Sequence, residues 1–352
     1  MNSPFSDPPL RPDARIADTL AGLIGPTPLV RLGRFSSAHT LPFELLAKLE
    51  FLSPLGSVKD RTALGMVTAA ERSGHLKPGG TVVEATGGNL ALSLASLCAA
   101  RGYRLVLVLP ESVSLDRRRF LSHFGAEIVL TPASRGADGA RERAVELQAS
   151  VPGMVMLSWS HAEAGAEMHR RTTGLEIWED TAGAVDGVIG ALGTGATLSG
   201  VSRALKERKP GVQIVGTGPL EDAPSGGSAA RPGPGAGPAG RGGVGSRPGT
   251  PRADGVDEVV HVPLETALAM AQSVARLEGL PAGISSGAVL AAAVALARRP
   301  GWDGRTVVAI LASGAERYLS TPLFDEIPPG AHPSPSGSGG VAAPFSAGFP
   351  SG

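Results

Sequence analysis

Short apolar runs that alternate with amphipathic runs constrain the fold of this chain more than any other feature of its sequence. The apolar runs have the length of buried strands and lie at 44–49, 81–84, 104–109, 127–130, 185–192, 213–216 and 306–311. Helical periodicity is found at 58–72, 90–100, 115–124, 138–150, 165–178, 198–207, 264–278 and 288–298. Strands that alternate with helices form parallel sheets joined by right-handed crossovers. The pattern therefore predicts an α/β fold with parallel-rich, twisted sheets flanked by helices.

Two segments rich in Gly and Pro interrupt this pattern. One is an insertion at 222–254, and the other is the carboxyl-terminal stretch 326–352. Such compositions cannot bury enough apolar surface to offset the entropy of ordering. We expect the insertion to be flexible and the tail to be disordered.

Charge and cysteine usage exclude several classes of function. The formal net charge is +0 and the pI about 7.1, so neither a nucleic-acid footprint nor an attraction to anionic membranes is visible. Cys98 is the single cysteine, which excludes an internal disulfide, and it lies in an apolar run typical of a core. The amino terminus lacks a signal-peptide pattern and no apolar run reaches membrane-spanning length. We expect a soluble, cytoplasmic protein that binds neither nucleic acid nor membranes.

The loop at 52–61 delivers a lysine to the start of a predicted helix. Lys59 falls on the first helical turn, at the end of the helix dipole where a cation is least favoured. For an isolated lysine, a solvated surface position is the simpler explanation. A lysine amine that is kept neutral can instead form a Schiff base with a carbonyl cofactor.

A glycine loop at 193–197 follows a predicted buried strand and opens a helix. Gly193 and Gly195 allow close backbone approach, so the N–H groups and the helix dipole could hold a phosphate, with the hydroxyls of Thr194 and Thr197 as further donors. The loop lacks the lysine of a Walker A motif and does not fit the dinucleotide fingerprint. An ordinary tight turn between a strand and a helix explains the same residues equally well.

Two other helix starts are candidate sites. The loop at 86–89 could hold a carboxylate, and the Asn89 amide could donate to a phenolic oxygen, although an Asn that only caps a helix is common. Ser285 precedes the predicted helix 288–298 and by itself reads as an N-cap.

Two clusters are set aside. His161 and His169 stand near acidic residues, but on a helix eight residues separate them by roughly 12 Å along the axis, too far for one metal ion. We therefore predict no metal site. The basic run 117–119 is expected to lie on a solvated helix face.

Taken together, the motifs resemble those of the cysteine synthase family, which comprises O-acetylserine sulfhydrylase and its cystathionine β-synthase relatives. The resemblance runs in order from about residue 16 to residue 324, apart from the insertion. It is carried by these segments: 24–30 (IGPTPLV), 57–61 (SVKDR), 84–89 (EATGGN), 110–112 (PES), 172–178 (TTGLEIW), 193–197 (GTGAT), 283–287 (GISSG) and 316–321 (ERYLST).

The resemblance implies a two-domain fold-type II enzyme dependent on pyridoxal phosphate (PLP), similar to the β subunit of tryptophan synthase. Residues 1–47 would belong to the larger domain, 48–155 would form the smaller domain, and 156–325 would complete the larger one. The cofactor would lie between them. A homodimer in the cytoplasm is expected from the resemblance.

The resemblance also implies roles for the candidate residues. Lys59 resembles the lysine that holds PLP covalently, and Asn89 the residue that bonds its ring hydroxyl, while Ser285 would face the pyridine nitrogen. The phosphate cradle would be Gly193, Thr194, Gly195, Ala196 and Thr197, and the substrate carboxylate would be held by Thr86, Gly87, Gly88 and Asn89.

The implied reaction is β-replacement on an activated serine such as O-acetylserine, with sulfide adding to an aminoacrylate intermediate to give L-cysteine. Such a transferase or lyase takes a small-molecule amino acid and a sulfur nucleophile as its partners. One alternative keeps this chemistry with another amino acid or nucleophile in specialised metabolism. Another is a PLP-binding homologue that has lost turnover and acts through a partner protein.

Several positions depart from the family pattern and motivate those alternatives. The carboxylate loop of the family reads Thr-Ser-Gly-Asn-Thr-Gly, whereas Gly87, Leu90 and Ala91 stand here at the second, fifth and sixth positions. Each hydroxyl lost at Gly87 and Leu90 could cost on the order of 1.5–3 kcal/mol of substrate binding. Trp159 replaces a family glutamine near the substrate carboxylate, and only 242–245 resembles the family's glycine-rich active-site loop.

Overall fold

The computed structural model describes residues 17–218 and 254–325. Three expectations therefore lie mainly outside the described residues. They are the assignment of residues 1–16 to the larger domain, the flexibility of the insertion with its 242–245 stretch, and the disorder of the tail after residue 325. All ten strands and eleven α-helices discussed below belong to the described ranges.

A six-stranded sheet combines strands from both ends of the chain. Its members are β1 (Leu29–Arg31), β2 (Glu44–Leu49), β7 (Val185–Ala191), β8 (Gln213–Thr217), β9 (Glu258–Val260) and β10 (Thr306–Leu311). The order across the sheet is β1-β2-β10-β7-β8-β9, and every pair is parallel except the edge pair β1–β2. Buried apolar residues fill the central strands, as expected for a parallel sheet covered on both faces.

A four-stranded sheet is built from the middle of the first half of the chain. It contains β3 (Thr81–Glu84), β4 (Arg104–Pro110), β5 (Glu127–Thr131) and β6 (Met154–Val155) in the order β5-β4-β3-β6, all parallel. The predicted α/β class with parallel-rich sheets is confirmed. We propose that the two sheets are the centres of the two expected domains.

Eleven α-helices flank these sheets. They are α1 (Gly33–Ala38), α2 (Lys59–Arg72), α3 (Asn89–Arg101), α4 (Leu115–His123), α5 (Gly136–Ser150), α6 (Leu157–Ser160), α7 (Ala162–Arg171), α8 (Thr173–Asp180), α9 (Ala196–Lys206), α10 (Leu264–Glu278) and α11 (Ile284–Leu296). Cys98 is buried on α3 within the core that covers the four-stranded sheet, as predicted.

Two glycines bring three of these helices close together. Gly65 of α2 packs against the backbone of α7 at Ala164, and Gly200 of α9 packs against α7 at Ala166, so that a side chain on either glycine would collide with a backbone carbonyl. Helices that meet without side chains between them approach closely. Because α2 and α9 both pack on α7, the first residues of α2 and the loop before α9 are brought to the same region.

The structure corrects the sequence prediction at two helices and adds three short elements. The helix predicted at 165–178 is two helices, since Thr172 leaves helical geometry with ψ −82°. Helix α11 begins at Ile284, four residues before the predicted start. The short elements β6, α1 and α6 were not predicted, because the two residues of β6 are too few for a strand pattern and helices of four to six residues span less than two helical turns.

Within the described ranges, no helix is both long and apolar enough to cross a membrane.

Candidate active site

Lys59 is the first residue of α2 and lies beside the glycine loop. A methyl group built on Gly193 would lie 3.9 Å from Lys59 Nζ. The lysine loop is fixed by the chain that follows β10, because Val58 donates its N–H to the Ala312 carbonyl at 2.8 Å and Ser57 forms a β-bridge with Ser313. The lysine loop and the glycine loop at Gly193, which are more than 130 residues apart in sequence, thus meet at the lysine amine.

The environment of the Lys59 amine favours its neutral form. Burial lowers the pKa of Lys59 below the ordinary lysine value. Within the described part of the chain, no carboxylate or hydrogen-bond acceptor contacts Lys59 Nζ, and the positive end of the α2 dipole lies next to it. A neutral amine is the form that attacks a carbonyl group.

The loop before α9 has the features of an anion site. Gly195 adopts a left-handed conformation with φ 84° and precedes α9, whose first-turn N–H groups receive no side-chain cap. Thr194 Oγ1 is buried and has no hydrogen-bond partner among the described residues. A buried hydroxyl without a partner and a set of uncapped N–H groups fit a bound phosphate ester.

His169, which the sequence does not favour as a metal ligand, supports this loop. It is fully buried, and its Nε2 lies 3.3 Å from Thr197 Oγ1 and 3.2 Å from Thr62 Oγ1, while Nδ1 lies 2.8 Å from Thr173 Oγ1. Burial, with Arg61 and Lys59 nearby, lowers the pKa of His169 well below its ordinary value, so the ring is neutral. Among the described residues, no group of three or more His, Cys, Asp or Glu side chains could hold a metal ion. In the sequence, the signal that could have indicated the supporting role of His169 is its position just before the segment 172–178.

The loop that carries Thr86, Gly87 and Gly88 leads into α3, whose first residue is Asn89. Arg117 donates from Nη1 to the Gly87 carbonyl at 3.1 Å and is half-buried. Arg118 is half-buried as well, so the expectation that the run 117–119 is solvated holds for Arg119 alone. The contact of Arg117 was missed because no local pattern distinguishes one arginine of the run from another.

Ser285 is the second residue of α11, and Gly283 is the N-cap, so the interpretation of Ser285 as an N-cap is wrong. Gly283 donates its N–H to the Ser313 carbonyl at 2.9 Å, and Ala282 forms a β-bridge with Gly314. The start of α11 and the lysine loop therefore both flank the segment 312–314 at the carboxyl end of β10. Ligands of parallel α/β sheets bind at such ends.

Comparisons with known proteins show what the chain is similar to. Residues 20–314 match the family described as "Pyridoxal-phosphate dependent enzyme". A cysteine synthase of Staphylococcus aureus (strain Mu50) is 42% identical over 314 residues, covering 87% of this chain and 97% of that protein.

Solved structures give the same picture. The cysteine synthase of Entamoeba histolytica is 33% identical with a TM-score of 0.79, over 93% of this chain and 95% of that one. An O-ureido-L-serine synthase is 35% identical with a TM-score of 0.78, over 90% of this chain and 98% of that one.

Proposed function

This chain belongs to the family of pyridoxal-phosphate dependent enzymes, and we propose that it converts an activated serine such as O-acetylserine, with sulfide, into L-cysteine. It is a PLP-dependent enzyme of the cysteine synthase type. The observation that carries the proposal is the position of Lys59: it is half-buried, its amine makes no hydrogen bond in the described ranges, and it lies next to the glycine loop.

We propose that Lys59 and the loop of Gly193, Thr194, Gly195, Ala196 and Thr197 hold PLP. The uncapped N–H groups of α9 and the unpaired Thr194 hydroxyl would receive the phosphate. Asn89 would donate to the ring hydroxyl, and Ser285 would face the ring nitrogen. PLP, when bound, supplies the electron sink that lets the α-proton and the β-substituent of an amino acid depart.

Two features of the chain's own residues direct this chemistry. A free Lys59 amine would be neutral at lower pH than an ordinary lysine, and it would then serve as the general base that accepts the α-proton of the substrate. Ser285 offers a neutral hydroxyl and not a carboxylate, so it would not hold the ring nitrogen of a bound PLP protonated. A weaker electron sink favours loss of the β-substituent over decarboxylation or transamination.

We propose that the loop of Thr86, Gly87, Gly88 and Asn89 binds the substrate carboxylate. The first turn of α3 directs its N–H groups toward this loop, which suits an anion. Thr86 is the one hydroxyl that the loop retains.

A second candidate keeps the same β-replacement but uses a different amino acid or nucleophile. Two observations favour it: the loop has lost hydroxyls at Gly87 and Leu90, and a solved O-ureido-L-serine synthase is as similar in fold as the cysteine synthases. Under either candidate we propose a cytoplasmic homodimer, on the strength of the family alone.

The test is to reconstitute the purified protein with PLP and to record its visible spectrum before and after adding O-acetylserine, then to assay cysteine and acetate after adding sulfide. We expect a spectral change with O-acetylserine and stoichiometric cysteine with sulfide. A spectral change without cysteine would support the second candidate and call for a screen of nucleophiles. Failure to bind PLP at all would overturn the assignment of the site.

A further inference from the structure

Arg317 joins the two loops that meet at the proposed cofactor site. It follows β10 in a single 3₁₀ turn, Glu316–Tyr318, and its side chain is 10% exposed. Its Nη1 donates to Asn89 Oδ1 at 2.8 Å, and its Nη2 donates to the Leu55 carbonyl in the lysine loop. We propose that Arg317 is a positioning residue that fixes the Asn89 amide for the cofactor, an inference that rests on the proposed function.

The chemistry of the guanidinium decides which way the amide points. Arginine carries only donors, so the Asn89 atom that faces it must be the carbonyl oxygen. The amide nitrogen, with its two N–H donors, then points away from Arg317. Within the described residues Asn89 Nδ2 has no other partner, and it is therefore available to donate to the phenolic oxygen of PLP.

The second contact of Arg317 fixes the lysine loop. Both backbone polar groups of Leu55 are held. Its carbonyl accepts from Arg317, and its N–H donates to Asp60 Oδ2 at 2.8 Å. Asp60 Oδ1 also accepts from Ser93 Oγ of α3 at 2.5 Å. Arg317 and Asp60 together connect the loop that carries Lys59 to the helix that begins with Asn89.

The local backbone makes room for this guanidinium. Gly56 adopts φ 65°, and a Cβ at that position would lie 2.7 Å from Arg317 Nη2. The segment itself is also held, because Arg117 donates to the Arg317 carbonyl at 3.5 Å and to the Gly87 carbonyl at 3.1 Å. The carboxylate of Glu316 lies 3.2 Å from Arg317 Nε but is 62% exposed, so it contributes little to holding the side chain.

Without Arg317 the Asn89 side chain can rotate and present its oxygen to the phenolic oxygen of PLP. The donor to that oxygen is then lost in part of the population. A single hydrogen bond contributes about 0.5–1.5 kcal/mol, which corresponds to roughly a 2- to 13-fold change in a dissociation constant. The ring hydroxyl also loses the partner that fixes its protonation, which changes the visible absorption of bound PLP.

The test compares Arg317→Met, Arg317→Lys, Asn89→Ala and the double variant Arg317→Met/Asn89→Ala with the wild-type protein. Two quantities are measured: the dissociation constant of PLP and the ratio of the absorption bands of bound PLP. Arg118→Met is the matched control, because Arg118 also donates to backbone carbonyls, those of Val113 and Glu111, but touches neither loop.

We expect Arg317→Met to raise the PLP dissociation constant roughly 2- to 13-fold and to change the band ratio. Arg317→Lys should recover part of both effects, because an ammonium group can reach one of the two acceptors. In the Asn89→Ala background, Arg317→Met should have no further effect on the band ratio, and Arg118→Met should change neither quantity.

An unchanged band ratio in a folded Arg317→Met protein, or effects that add fully to those of Asn89→Ala, would overturn the inference. If Arg317→Met does not fold, the same comparison of Arg317→Lys with Asn89→Ala decides the matter. Failure of the wild-type protein to bind PLP would overturn the proposed function instead, so the two failures are distinguishable.

Discussion

At the scale of single residues, the environment that keeps the Lys59 amine reactive also lowers the free energy of unfolding. The residue is half-buried, and its amine has no counter-charge within the described ranges. Because burial lowers its pKa in the folded state, the unfolded chain binds the proton more tightly below the ordinary lysine pKa of about 10.4. In that pH range Lys59 therefore destabilises the fold, and the destabilisation fades as the pH rises toward that value.

We expect Lys59→Met to lose covalently attached PLP and, at pH 7, to make the cofactor-free protein more stable. A gain of about 1 kcal/mol corresponds to a rise in Tm of roughly 2–4 °C. The measurements are thermal unfolding without PLP and mass spectrometry after borohydride reduction with PLP. Lys77→Met, at an exposed lysine, is the control and should change neither the Tm nor the covalent attachment of PLP. A Lys59→Met protein less stable than wild type would contradict the argument.

Leu90 tests whether a lost hydroxyl weakens substrate binding. It is the second residue of α3 and half-buried, so a threonine there would place its hydroxyl on the first turn beside the substrate loop. We expect Leu90→Thr to lower the KM for O-acetylserine by about tenfold or more, with kcat little changed. Leu90→Val is the matched control, because it has the shape of threonine without the hydroxyl. Equal KM values in the two variants would remove this explanation.

Gly87→Ser, which would restore the other lost hydroxyl, is a poorer test. A Cβ there would lie 3.1 Å from Val113 Cγ2 and 3.3 Å from Leu109 Cδ2, so serine requires these neighbours to move. Packing against Val113 and Leu109 thus accounts for a glycine at this position.

At the scale of elements, Glu84 connects the end of β3 to α6. Its two carboxyl oxygens accept from the N–H and the hydroxyl of Ser158, both at 2.6 Å. Burial raises the pKa of Glu84 to about 7, although the hydrogen bonds from Ser158 oppose this. The site therefore favours the protonated carboxyl group of Glu84 more than water does.

A pH dependence of stability follows from this pKa. Since the folded pKa lies above the unfolded value, the stabilisation is complete below about pH 4.5 and is lost as the pH rises through about 7. Between pH 5.5 and 8.0 the loss amounts to about 2 kcal/mol. The measurement is urea unfolding at these two pH values. We expect the change in unfolding free energy between them to be smaller in Glu84→Gln than in the wild-type protein by about 2 kcal/mol. Glu111→Gln, at an exposed carboxylate, should retain the wild-type difference, and a Glu84→Gln profile equal to it would contradict the assignment.

Element boundaries also show which local signals suffice. Strand β2, strand β3, helix α10 and strand β10 begin and end where the periodicity predicts. The break between α7 and α8 does not follow from periodicity, because the apolar pattern continues across Thr172. There the backbone turns although the sequence contains no Gly or Pro at that point.

At the scale of the whole molecule, a buried charge network joins α2 to the larger sheet and to α8. Arg61 is 1% exposed; its Nε lies 2.9 Å from Glu50 Oε2 and its Nη1 2.6 Å from Glu176 Oε1. Lys48 Nζ lies 2.9 Å from Glu176 Oε2. Burial alone would lower the pKa of Arg61, but Glu50 and Glu176 raise it overall. Arg61 is two residues after Lys59, so the network also fixes the start of α2.

Removing one partner of this network should be strongly destabilising. We expect Arg61→Met to lose about 3–5 kcal/mol of unfolding free energy, because Glu50 is left buried without its cation. Arg61→Met/Glu50→Met should recover most of that loss, since an apolar pair can replace a buried ion pair. Arg104→Met, which breaks an exposed pair with Glu127, should cost less than about 1 kcal/mol. A cost for Arg61→Met as small as that of Arg104→Met would show that the network does not hold the fold together.

The sequence by itself determined the order of strands and helices, the α/β class, and the loops at strand-to-helix junctions that carry Lys59, Asn89 and Gly193. These depend on periodicity and on Gly and Pro, which act over a few residues. The tertiary structure decided which distant groups meet: Lys59 with Gly193, Asn89 with Arg317, and the His169 ring with three threonine hydroxyls. Those meetings follow from strand order and helix packing, because the partners lie on different elements and, apart from Thr173 and Thr197 with His169, more than 100 residues apart, so they leave no joint signal in a local pattern.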